Sequence, residues 1–154
     1  MELEGQQVDF DRFSEAARQV LFYARAAVGE LGASSVRSEH LLLGLLRANP
    51  ESVTRFLGPS DSADTLILDT KGRLVASERS VRPADMIPLS ANVTTILRKA
   101  SQEAESRIDK SVLVEHILLA LLDEETGVAS EVLRAHGVRE MDIRSYLGTL
   151  TRKR

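Results

Sequence analysis

The chain has 154 residues, with 20 Lys and Arg against 23 Asp and Glu, a formal charge of −3, and no cysteine or tryptophan. That length suits one ordinary domain or two small repeated units. That charge gives little support to a nucleic-acid role, which normally requires a basic face, and the cysteine count removes disulfides, thiolate zinc sites and cysteine nucleophiles. Aromatics at 4% leave little material for a base-stacking platform, so the core is expected to be aliphatic. No apolar run approaches the roughly eighteen residues a membrane-spanning helix needs, and the acidic start Met1-Glu2-Leu3-Glu4 has the wrong charge for a signal peptide. The expectation is a cytoplasmic protein with no nucleic-acid or membrane partner.

From Ser14, a cap by residue type, apolar residues recur at Ala17, Val20, Leu21, Ala24, Val28 and Leu31. This spacing predicts an amphipathic helix with Ser14 as N-cap and Gly32 just past its end. Ser38 is a second N-cap candidate, leading into Leu41 to Leu46, a run apolar on every side and therefore a buried helix. Asn49-Pro50 opens a third helix through Val53, Phe56 and Leu57, with Gly58 as the stop. In Thr65-Leu66-Ile67-Leu68-Asp69-Thr70-Lys71-Gly72-Arg73-Leu74-Val75, strand formers flank a Gly-containing turn, and the local reading is a β-hairpin. A helix from Ser62 is the competing reading. Ser80 to Ala84, with Pro83, reads as an extended connector. Ser90 then caps a helix through Ile96, Leu97 and Ala100; Glu115 to Leu122 is buried, Val128 to Ala135 follows, and His136-Gly137 ends it. A last helix from about Arg139 to Leu150 offers Met141, Ile143, Tyr146, Leu147 and Leu150 for packing. The tail Arg152-Lys153-Arg154 reads as a frayed, solubilising end.

The chain matches itself at a shift of 76 residues, which lays Glu39-His40-Leu41-Leu42-Leu43-Gly44-Leu45-Leu46 on Glu115-His116-Ile117-Leu118-Leu119-Ala120-Leu121-Leu122. The same shift pairs Ser14 with Ser90, Leu21 with Leu97, Ala24 with Ala100 and Leu57 with Leu133. The chain is thus two copies of one helical unit, residues 10 to 57 and 86 to 133, joined by a connector over 58 to 85 and closed by the helix over 139 to 150. Both copies read as helices throughout, with the hairpin in the connector as the one β element.

The duplicated Glu-His-(Leu/Ile)-Leu-Leu helix, each copy preceded by a Ser-capped helix, resembles the double repeat of the Clp N-terminal domain found on AAA+ unfoldases of the ClpA and ClpC type. The resemblance runs over residues 10 to 150 and makes the whole chain, 1 to 154, one such domain. It implies an all-α, pseudo-twofold bundle of about eight helices, a non-enzymatic module that binds Clp unfoldase or protease subunits, adaptor proteins or substrate proteins, and needs no cofactor. An ATPase motor would require Gly-x-x-x-x-Gly-Lys-Ser/Thr, and Lys71-Gly72-Arg73 lacks that spacing. The chain therefore reads as a free-standing N-domain or a fragment of a larger unfoldase.

His40, His116 and His136 do not have the spacing of a His-Glu-x-x-His zinc site, and adjacent Glu-His side chains diverge by about 100° around a helix. These histidines read as packing groups. Glu39 and Glu115, near the first turn of each buried helix, read by default as carboxylates that offset the helix dipole. The resemblance adds a second role: in Clp domains of the ClpC type the matching glutamates hold the guanidinium of phosphoarginine, a degradation mark. Ser14 and Ser90 match family threonines at the first helix of each unit, where a hydroxyl and free amides receive the phosphate. The family commonly has Gly-Thr before Glu-His, whereas this chain has Arg37-Ser38 and Leu113-Val114. Because Ser38 keeps a hydroxyl and Val114 does not, the Ser14/Glu39 site is expected to be the better of the two. A structural accessory subunit that docks on the Clp protease core through the segment 60 to 80 is the alternative function.

Overall fold

A computed structural model describes residues 8–74, 87–107, 109–124 and 127–152. These residues form eight α-helices: α1 (Glu15–Leu31), α2 (Ser38–Ala48), α3 (Glu51–Thr54), α4 (Ala63–Gly72), α5 (Ala91–Ser106), α6 (Val114–Leu122), α7 (Val128–Ala135) and α8 (Glu140–Arg152). The expected connector Ser80 to Ala84 lies outside the described residues, as do Val75, Lys153 and Arg154.

Both first helices start as the sequence predicts. The Ser14 hydroxyl accepts from the Ala17 amide at 3.1 Å, and the Ser90 hydroxyl from the Val93 amide at 3.1 Å. Each bond satisfies one of the amide donors a helix start leaves open. Gly32 ends α1 at φ 80°, a left-handed conformation that glycine adopts without steric cost. The buried stripe of α1, from Ala17 to Val28, faces α2, which is buried along its length from Ser38 to Leu46. Gly44 lets the two backbones meet: a Cβ there would lie 2.3 Å from the Val20 carbonyl oxygen and 2.7 Å from the Ala24 nitrogen.

The two units interlock. Val112 donates its amide to the Arg12 carbonyl and accepts from the Ser14 amide; Val36 donates to the Pro88 carbonyl and accepts from the Ser90 amide. The resulting isolated parallel bridges pair Phe13 with Val112 and Val36 with Leu89. The 76-residue shift exchanges one bridge for the other, since it carries Phe13 onto Leu89 and Val36 onto Val112. Around this axis α2 and α6 touch in one continuous aliphatic core that includes Leu41, Leu42, Leu45, Ile117, Leu118 and Leu121.

Four expectations change. The segment expected as a hairpin is α4, begun by Ser62, whose hydroxyl accepts from the Thr65 amide while Thr65 Oγ1 accepts from the Ser62 amide. A strand would have set Leu66, Leu68 and Thr70 on one face; the helix buries Leu66 and Thr70, four apart, and leaves Leu68 71% exposed. Burial of one helical face outweighs the local strand preference of β-branched residues. Ser38 is the first residue of α2, not its cap; Arg37 holds the cap position in extended backbone. The third helix is α-helical only over Glu51–Thr54, and tighter three-residue turns carry the chain to Leu57. In α8, Ile143 and Leu147 are buried, but Met141 is 75% exposed because it lies on the opposite face.

Candidate functional site

The two starts of the central helices are built alike. At α2, His40 Nδ1 accepts from the Arg37 amide at 3.0 Å; at α6, His116 Nδ1 accepts from the Leu113 amide at 2.8 Å. Each Glu-His pair is thus explained by the backbone: the histidine, two residues into the helix, turns back to satisfy the amide of the residue that precedes it. Accepting at Nδ1 requires the neutral ring with its proton on Nε2. In His116 that proton faces Asp109 Oδ2 at 3.0 Å. Burial pushes both imidazoles below their ordinary value, which favours the same neutral form. The histidines are structural acceptors as well as packing groups.

With the histidines turned inward, the preceding glutamates lie at the helix starts. Glu39 is 8% exposed and forms an ion pair with Arg37, Nε to Oε2 at 3.0 Å. Glu115 is 9% exposed and, among the described residues, has no ion-pair partner. Burial raises its carboxyl above the ordinary glutamate value, opposed by its own backbone amide and by the more distant charge of Arg55. The Arg55 guanidinium rests over the Tyr146 ring, 4.3 Å from its centroid.

The sequence groups Ser14 with Glu39 and Ser90 with Glu115, one pair per repeat. The backbone bridges instead tie Ser14 to the segment entering α6, which carries Glu115, and Ser90 to the segment entering α2, which carries Glu39. Each helix start is therefore assembled from both units. Among the described residues, neither serine hydroxyl is hydrogen-bonded to either glutamate. Gly127 borders the α2 start, where a Cβ would lie 3.6 Å from Ser38 Oγ and 3.8 Å from Glu124 Oε1, and Glu124 Oε1 in turn accepts from Asn92 at 2.9 Å. Sequence reasoning missed Asn92, Glu124 and Arg55, whose positions depend on long-range packing. Arg37 was visible as a departure from the family pattern, but its contact was not.

A model of the Clp repeat (R) N-terminal domain matches residues 12–136 and 88–153. The chain belongs to this family. Among curated proteins this Clp repeat domain is 30% identical over 129 residues to the chaperone protein ClpB of Oceanobacillus iheyensis, covering 84% of the chain and 16% of that protein. It is 30% identical, with the same coverage, to the negative regulator of genetic competence ClpC/MecB of Bacillus subtilis. The chain thus spans about one-sixth of these relatives. The N-terminal domain of the ClpD chaperone of Arabidopsis thaliana superposes with a TM-score of 0.74 at 21% identity, covering 93% of this chain and 96% of that one. For the Hsp104 N-terminal domain of Candida albicans the TM-score is 0.68 at 20% identity, covering 86% and 87%. No helix among the described residues is long and apolar enough to cross a membrane.

Proposed function

We propose that this Clp repeat domain is a non-enzymatic binding module of a cytoplasmic Clp system, which receives substrate or adaptor proteins for a Clp unfoldase or in competition with one. Its ligand chemistry is a guanidinium, presented as phosphoarginine, with Glu39 and Glu115 as receptors and Ser14 and Ser90 at the helix starts that face the phosphate. The observation that supports this reading is Glu115, a carboxylate nine-tenths buried without an ion-pair partner among the described residues. Burying a carboxylate without a cation is costly, and a charged, bidentate guanidinium offsets that cost. The first amides of α1 and α5 add donors of the kind that hydrogen-bond phosphate oxygens, since a helix start concentrates positive potential.

Calorimetric titration with free phosphoarginine tests the reading, on wild type and on Glu39→Ala and Glu115→Ala proteins whose helicity is checked by circular dichroism. Saturable binding that a folded glutamate variant loses is the expected result. Absence of binding to the folded wild type would return both glutamates to dipole compensation. Co-purification with a peptidase ring instead would support the accessory-subunit reading, for which exposed Leu68 on α4 is a docking candidate.

A further inference from the structure

We propose that Arg37 is an internal occupant of the first receptor, so that Glu39 is closed by the chain's own guanidinium and Glu115 is the open site. This rests on the guanidinium reading above and reverses the order of the two sites expected from their hydroxyls. Arg37 and Glu39 are two residues apart, one at the cap position and one in the first turn of α2, and their charged groups meet at 3.0 Å. The carboxylate is buried while the arginine is exposed, so the cation covers the acid from the solvent side. An external guanidinium needs that approach.

The second unit lacks the device. The 76-residue shift puts Leu113 where Arg37 stands, and Leu113 carries no charge. Arg55, the cation that acts on Glu115 from a distance, is held on the Tyr146 ring from another part of the fold. An intramolecular competitor weakens a ligand by the factor with which it occupies the site. A partly exposed ion pair sets that factor at about two- to fivefold. The weakening is reversible and salt-sensitive, because added salt screens the exposed arginine first.

The test uses Glu115→Gln as background, so that only the first receptor remains, and compares it with the same protein carrying Arg37→Leu, the residue found in the second unit. Phosphoarginine is the calorimetric probe, and the Arg37 Nε–H resonance reports the ion pair without ligand. The expected result is an affinity about two- to fivefold tighter after Arg37→Leu, and an Arg37 Nε–H resonance that shifts on Glu39→Gln. Equal affinity with and without Arg37 would overturn the inference and leave the guanidinium reading intact. Weaker binding after Arg37→Leu would also overturn it, making Arg37 a phosphate ligand. No binding to wild type or to the Arg37→Leu protein with Glu115 intact would overturn both.

Discussion

Gly44→Ala opposes two effects of known sign at the contact between α1 and α2. Alanine in a helix interior is favoured over glycine by about 1 kcal/mol, so the substitution is stabilising wherever space allows. At Gly44 the new Cβ meets the Val20 carbonyl oxygen at 2.3 Å, the Ala24 nitrogen at 2.7 Å and the Ala24 Cα at 3.1 Å. All three atoms are backbone and cannot rotate away, so the helices must part by roughly 1 Å to restore ordinary contact. Overpacking of this kind costs about 3 kcal/mol at the upper end of its usual range, and the propensity gain offsets about 1 of these. The expected net loss of about 2 kcal/mol lowers the melting temperature by about 4–8 °C for a domain of this size. Gly29→Ala in α1 and Gly148→Ala in α8 are the controls, because nothing lies within 4 Å of a Cβ at either position. Thermal denaturation followed by circular dichroism should show both controls at or above wild type and Gly44→Ala well below. A Gly44→Ala protein as stable as the Gly29→Ala protein would refute the close backbone approach. The second unit already carries Ala120 at the matching position, where the side chain borders an open groove with Leu119, Lys99 and Arg144.

His136 gives a pH-dependent prediction, since its Nδ1 meets Asp61 Oδ1 at 2.8 Å and its Nε2 meets Asp69 Oδ2 at 2.9 Å. Both contacts need a doubly protonated ring, and although burial works the other way, the two carboxylates hold the imidazole above its ordinary value of 6.5. The stabilisation is therefore complete below pH 6.5 and disappears as pH rises through the raised folded value. His136→Gln should lower the melting temperature more at pH 6 than at pH 8.5, with faster amide exchange in α4; an equal effect at both would exclude the clamp. Glu115→Gln should raise stability at pH 7, because burial of the carboxylate, which its own amide and Arg55 offset only in part, costs free energy above its raised folded value. That cost is relieved as pH falls toward and below the ordinary 4.5, so the advantage of the variant should vanish in acid. A destabilised variant at neutral pH would show that dipole compensation prevails. Ser90→Ala removes the acceptor for the Val93 amide and should cost about 1 kcal/mol in urea denaturation, as should Ser14→Ala; no loss at either would mean that solvent replaces the cap. Leu66→Ala empties a fully buried position on α4 and should cost about 2–5 kcal/mol, whereas Leu68→Ala, at an exposed position, should change stability little.

Much of the architecture was legible in the residues because it repeats. Helix type, the capping roles of Ser14 and Ser90, the stop at Gly32 and the two buried central helices all follow from local chemistry and from periodicity counted twice. Glu39 and Glu115 were equally visible, as carboxylates at matching helix starts. Local chemistry misled where two periods compete: Thr65, Ile67 and Thr70 favour a strand, and only the burial of Leu66 beside Thr70 selects the helix. The tertiary structure also decided that each central helix start is assembled from both units, because parallel bridges at Phe13 and Val36 join segments more than fifty residues apart. It decided too that His40 and His116 serve the backbone, and that Arg37 rests on Glu39 while Glu115 has no such partner among the described residues. These facts depend on distances across the fold, which spacing along the chain does not encode; the helices themselves depend on neighbours three and four residues away, which it does.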